Sequence, residues 1–185
     1  MAPRVPGEPS DHALGRSRGG FGTKVHLVTD GTGLPLAVEV SPGQAHESKY
    51  VEPVLNAVRI ERLGGGRPRQ RPAAVAGDKG YSYPGVRAWL RAHHIHPIIP
   101  ERDDQRERRA HRPGRTPAFD REAYRRRNVV ERAGGLLNEA RAVATRFDKL
   151  AAQYRATVML GILQRYLPAT LANTPWPKGA RHPQV

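Results

Sequence analysis

From Thr23 to Asp30 the chain reads TKVHLVTD, which places Val25, Leu27 and Thr29 on one face of an extended strand and Lys24, His26 and Val28 on the other. After GTG, the run LPLAVEVS over 34 to 41 alternates again, with Leu36, Val38 and Val40 facing one way. Two alternating runs joined by a short Gly-containing loop predict an antiparallel hairpin. The period then changes. In HESKYVEPVLNAVRI (46 to 60), Tyr50, Val51, Val54, Leu55 and Val58 recur at helical steps, and the helix accommodates Pro53 only in its first turn.

GGGRPRQRP (64 to 72) reads as a basic loop, and AVAGDKGYS (74 to 82) as a short buried strand ending at Asp78. YPGVRAWLRAHH (83 to 94) predicts a helix with Val86, Trp89 and Leu90 inward, followed by a short strand in HPIIPE (96 to 101). The polar, Arg-rich stretch 102 to 117 has no period and predicts a mobile loop. Residues 120 to 167 form the longest helical region, with Asp120 as N-cap and apolar positions at Val129, Val130, Leu136, Leu137, Ala140 and Val143. A second helix from about Ala151 is expected to bury Tyr154, Val158, Met159, Ile162 and Leu163. The order hairpin, helix, strand, helix, strand, Arg-rich loop, long helices is an α/β pattern. Residues 1 to 22, rich in Pro, Gly and charge, read as a flexible lead-in; 23 to 167 read as the folded domain, and 168 to 185 as a loose tail.

Charge sharpens this picture. The 185 residues carry 31 Lys and Arg against 17 Asp and Glu, a net +14, and the stretch 101 to 132 alone holds 11 arginines. A polyanion is the usual partner of such a surplus, although a GC-rich genome also inflates arginine. Without cysteine there is neither a disulfide scaffold nor a thiolate metal site. His93, His94 and His96 read as the end of a helix entering a strand rather than a zinc site. No apolar run approaches membrane-spanning length and the N-terminus lacks a hydrophobic signal core, so a cytoplasmic, nucleoid-associated location is expected.

A carboxylate at a strand end in so basic a chain calls for an explanation. Metal-assisted phosphoryl transfer needs hard oxygen ligands, and two such ions about 4 Å apart activate the attacking oxygen and stabilise the leaving one. Asp78, at a strand's carboxyl end, is one candidate. Glu131 is the other; with Tyr124 and Arg127, seven and four residues earlier, it forms one helical stripe. The plainer readings stand beside these. A lone Asp after a strand also serves as a turn former, and a lone Glu among arginines as a solvated ion-pair partner.

GRSRGGFGTKVHLVTDGTGLPLAVEVSPGQAHES, AGDKGYS, YRRRNVVERAGGLLNEAR and TRFDK, in that order, resemble bacterial insertion-sequence transposases of the DDE class, the insertion-sequence-5-like group, from about Gly7 to Leu167. The resemblance implies a ribonuclease-H-like core, DNA transposition, Mg²⁺ or Mn²⁺ as cofactor, and double-stranded DNA (element ends and target) as partner. It implies that Asp78 and Glu131 are the second and third catalytic acids and the metal ligands, with Tyr124 and Arg127 completing the family signature. Tyr124, Arg126, Arg127, Asn138, Lys79, Arg108 and Arg109 are the implied DNA-binding residues.

The departures are specific. Asn138 stands where the signature has a phosphate-contacting Lys, and Gly134 and Gly135 occupy the helix after Glu131. The first central strand, which carries the family's first Asp, has no counterpart; neither Asp11 nor Asp30 replaces that acid. Its loss is expected to expose the hairpin edge and the edge of the Asp78 strand. The expectation is therefore a chain inactive alone, either a decaying copy or the downstream frame of a frameshifted element that pairs with its upstream product or with itself. The alternative is a non-catalytic DNA-binding remnant that inhibits intact transposase.

Overall fold

The computed structural model describes residues 11–111, 114 and 119–173. The two alternating runs pair as expected: β2 (Gly20–Thr29; β1 is introduced below) and β3 (Pro35–Pro42) are antiparallel, with Val25 opposite Val40 and Leu27 opposite Val38. Asp30 shapes their connection. Its Oδ1 accepts from the backbone amides of Thr32, Gly33 and Leu34 at 2.8, 2.9 and 2.9 Å. Partial burial opposes ionisation of Asp30, but these bonds and that from the Thr32 hydroxyl prevail and lower its pKa. Asp30 is thus committed to the turn.

Strand order begins earlier than the lead-in reading allows. β1 (Gly15–Ser17) pairs with the start of β2, Gly15 opposite Gly22, and Ala13 is buried. Arg146, 133 residues away from Ala13 in sequence, holds this segment: its guanidinium donates to the carbonyls of Ala13 (3.1 Å), His12 and Lys149 (3.2 Å) and to the Thr23 hydroxyl. Tertiary bonds of this kind have no local sequence period. Residues 1–10 lie outside the described residues.

Helices cover both faces of the hairpin. On one face lies α1 (Val51–Asn56), preceded by a 3₁₀ turn over Glu47–Tyr50, and Pro53 does fall in its first turn. Its buried Val51, Val54 and Leu55 form a core with Val28 and Ala37. The same core takes Leu90 and Val86 of α2 (Pro84–Ala92), which links β4 (Ala74–Ala76) to the parallel β5 (His96–Ile98). On the hairpin's other face, Val38 packs with Leu137, Val143, Tyr154 and Val158. These come from α5 (Asn128–Asn138), α6 (Arg141–Thr145) and α7 (Ala151–Asn173), after the short α4 (Arg121–Arg125) capped by Asp120, which accepts from the Ala123 amide at 2.9 Å. The mixed α/β class holds. The strands form two small sheets, β1–β2–β3 and β4–β5, and between them lies a cavity of about 830 Å³ bordered by β2, β4, α1 and α5.

Three expectations need correction. The Arg-rich stretch forms a helix, α3 (Asp103–Ala110), rather than a loop over those residues. It has no apolar stripe because polar bonds hold it: Arg106–Asp103 and Arg108–Asp104 pair at helical spacing, and Gln105 exchanges hydrogen bonds with the fully buried Ser82. Residues 112, 113 and 115–118 lie outside the described residues. α7 runs through Asn173, beyond the point where a loose tail was expected, and residues 174–185 are again outside. Finally, α7 buries Tyr154 and Val158 but leaves Met159 50% and Leu163 52% exposed, since it packs against the hairpin and α5 along one side only. No helix among the described residues is long and apolar enough to cross a membrane.

Candidate functional site

Asp78 leaves β4 just after Gly77 and caps a single 3₁₀ turn, its Oδ1 accepting from the Gly80 amide at 2.8 Å. The turn-forming role is therefore real, and the carboxylate remains exposed. A second carboxylate reaches the same turn from the first 3₁₀ segment. A Cβ built on Gly80 would lie 2.5 Å from Glu47 Oε2 and 3.0 Å from Asp78 Oδ1, so an added side chain would have to turn one or both carboxylates aside. Glu47 also pairs with Lys24 on β2 at 3.1 Å. The half-buried Tyr81 registers both acids: desolvation first, then Glu47 and Asp78, push its hydroxyl up to about 12. Glu47 was not singled out from the sequence. Its only signal is its place in HES, just after the hairpin.

Glu131 sits in the first turn of α5, where a carboxylate also suits the helix dipole. The stripe expected from spacing is present although the helix is broken into α4 and α5, because Arg126 and Arg127 keep helical dihedrals across the break. Arg127 donates to Glu131 at 2.6 Å, and its Cζ lies 5.3 Å from the centroid of the Tyr124 ring. Burial works against the charge on Arg127, but Glu131, Tyr124 and Asp78 together raise its pKa. Arg127 therefore stands within the field of both acids. Its Nε is buried without a hydrogen-bond partner.

Asp78, Glu131, Arg126, Arg127 and Asn138 all line the cavity between the sheets. The other DNA-binding candidates lie elsewhere and are engaged: Lys79 pairs with Asp103 at 3.3 Å, Arg108 with Asp104, and Arg109 with Glu101 at 2.9 Å. Arg69 and Arg71, from the basic loop, border the same cavity as the acids and were not among the candidates. Among the described residues no group of three or more His, Cys, Asp and Glu could hold a metal ion. Of the histidines near the end of α2, His93 caps the helix, its Nδ1 bonding the Trp89 carbonyl at 2.8 Å with the rings 4.1 Å apart, and His96 opens β5.

An acid at a strand end and a second on a Tyr–Arg–Glu stripe thus line one cleft of a cationic α/β chain. Residues 4–163 match the family described as the transposase DDE domain, and the chain belongs to that family. A Burkholderia cepacia protein named as a transposase for insertion sequence element IS402 is 32% identical over 140 residues. The aligned stretch is 76% of this chain and 60% of that relative's length. No solved structure matches the chain.

Proposed function

We propose that the chain serves DNA transposition, as a domain that cleaves and joins phosphodiesters at the ends of an insertion sequence. The observation that carries this reading is the convergence of Asp78 and Glu131 on one cleft, with Arg127 in the field of both, in a chain of the transposase DDE family. Its net charge of +14 suits a nucleic-acid substrate.

Asp78 and Glu131 are the residues that would hold Mg²⁺ or Mn²⁺. Their donor chemistry fits, since Mg²⁺ is commonly held by one or two carboxylates together with substrate phosphates rather than by an all-protein cage. The ion would supply an activated water and charge stabilisation at the leaving oxygen. The protein's own contribution is positional. The Arg127 guanidinium is now shared with Glu131, so a DNA phosphate that takes it frees the Glu131 carboxylate. The Tyr124 ring, its centroid 5.3 Å from the guanidinium carbon, supports the charge of that group. Hydrolysis of the bond at the element's end would leave a 3′-hydroxyl. Attack of that hydroxyl on a target phosphodiester would join the strands and expel the opposite oxygen in line.

The test is incubation of the full chain with Mn²⁺ or Mg²⁺ and a labelled terminal-repeat duplex, beside Asp78→Ala and Glu131→Ala. Metal-dependent nicking that both substitutions abolish is the expected result. Salt-sensitive binding without nicking would replace this reading with that of a DNA-binding product lacking catalysis.

A further inference from the structure

Two arginine-rich segments of the chain differ in what their arginines meet. Around α3 the segment 101–110 contains four arginines and four acids, and ion pairs join Arg102, Arg106, Arg108 and Arg109 to Asp104, Asp103 and Glu101. Its surface is neutral overall. The segment 62–71, by contrast, contains four arginines (Arg62, Arg67, Arg69 and Arg71) and no acid. All four are exposed, and the nearest acid, Glu61, is taken by Arg59 at 2.7 Å.

This loop also has a defined shape. Ile60 and Arg69 exchange two backbone hydrogen bonds, 2.9 and 2.8 Å long, which close it at the base. At its tip Gly64, Gly65 and Gly66 take φ of 100°, 84° and 98°, a succession of left-handed residues that side chains disfavour. The turn they make pushes Leu63 outward until it is fully exposed, the most exposed large apolar side chain among the described residues. An apolar residue held in water at the tip of a cationic loop is the chemistry of a wedge against stacked bases. At the base, Arg69 and Arg71 border the cavity that Asp78 and Glu131 line.

We propose that the loop 60–71 is the principal DNA-gripping element of this chain, its arginines holding the backbone phosphates of a duplex while Leu63 inserts in the minor groove and opens a base step. This rests on the transposition reading for its substrate class, and it relocates the phosphate grip from the α3 region to the α1–β4 connection. Because Arg69 and Arg71 border the same cavity as the acids, the gripped backbone would lead into that cavity. Opening of a step next to the acids would make the scissile backbone more accessible.

The experiment uses the full chain and a fluorescein-labelled duplex, with a second duplex carrying 2-aminopurine. Affinity is read by anisotropy across a salt series for the parent chain, Arg69→Gln/Arg71→Gln, Arg62→Gln/Arg67→Gln and, as control, Arg106→Gln/Arg108→Gln. Each loop pair is expected to reduce the steepness of log K against log salt by about two and to weaken binding roughly tenfold or more near physiological salt, whereas the control keeps the parent slope. Leu63→Ala, at a fully exposed position, is expected to bind with the parent slope but to lose the rise in 2-aminopurine fluorescence. Loop variants that keep the parent slope, or a control that loses as much, overturn the grip while leaving DNA binding intact. Fluorescence unaffected by Leu63→Ala overturns the wedge. Failure of the parent chain to bind either duplex at low salt overturns the transposition reading itself, and the loop assignment with it.

Discussion

Arg127 donates to Glu131 at 2.6 Å, and the same guanidinium lies in the electrostatic field of Asp78. One cation thus answers two acids that are far apart in sequence. On the proposed reading it competes, in the absence of DNA, with a divalent ion for their oxygens, and a phosphate would draw it away.

Arg127→Ala should therefore strengthen binding of Mn²⁺ to the free protein, by about tenfold, because a nearby positive charge at intermediate dielectric is worth on the order of a kcal/mol or more. Titration followed by electron paramagnetic resonance measures it directly. The same variant should bind duplex DNA more weakly, so the two affinities move in opposite directions. If both fall together, Arg127 is a structural support of the acids and not their competitor.

Gly80→Ala tests the approach of Glu47 to Asp78. The added Cβ would come 2.5 Å from Glu47 Oε2 and 3.0 Å from Asp78 Oδ1, and both obstacles are side-chain ends that can rotate. Stability should change by less than about 1 kcal/mol, as for substitutions outside a packed core. Mn²⁺ binding and any nicking should drop at least severalfold, since the carboxylates are displaced. Urea titration beside the metal titration separates the two effects.

Arg146 adopts a positive φ of 37° and fans its donors over carbonyls of His12, Ala13, Asp148 and Lys149. Arg146→Ala removes the guanidinium donor from the His12 and Asp148 carbonyls and should cost about 2–4 kcal/mol, at 1–3 kcal/mol for each group that loses its donor. Arg146→Lys should recover less than half of this, because a single ammonium cannot reproduce the fork. Urea midpoints of the three proteins decide the matter, and an unperturbed Arg146→Lys would refute the multidentate clamp.

His26 is buried, bonds Ser41 Oγ at 2.8 Å and stacks on Tyr50 with centroids 4.5 Å apart. Burial, the largest influence, lowers its pKa from 6.5; Glu47 opposes the shift and Lys24 adds to it. The unfolded chain therefore binds this proton more readily than the folded one, and the sign follows: stability is full above about pH 6.5 and declines as pH falls toward the folded value. Unfolding free energies from pH 7.5 down to about 5 should show this slope, and His26→Gln should flatten it. A slope that survives the substitution would assign the titration to another group.

Packing makes the last contrast. Leu90 is fully buried between α1 and β5, whereas Met159 on α7 is 50% exposed. Leu90→Ala should destabilise by about 2–5 kcal/mol and Met159→Ala by less than about 1 kcal/mol. Thermal unfolding of both variants checks it. A large loss at Met159 would mean that α7 is covered on that side in solution.

Local periods carried the hairpin, α1, α2 and the Tyr124–Arg127–Glu131 stripe, because alternation and helical spacing report which side chains share a face. They failed at α3, whose stabilising partners are ion pairs and the buried Ser82 rather than an apolar stripe, and at the N-terminal segment, whose order depends on Arg146 from the far end of the chain. Burial along α7 was overestimated for a related reason. Apolar residues go round much of that helix, and only the position of the hairpin and α5 selects the face that is covered.

By itself, then, the sequence determined the α/β class, the strand end that bears Asp78 and the helical stripe that bears Glu131, since these follow from neighbours a few residues away. Only the tertiary structure decided that Asp78 and Glu131 open into one cavity, that Glu47 comes up against Asp78 across Gly80, and which acids the α3 arginines pair with. Those are relations between groups distant along the chain. Their distances and ion pairs exist only once the helices have packed against the sheets.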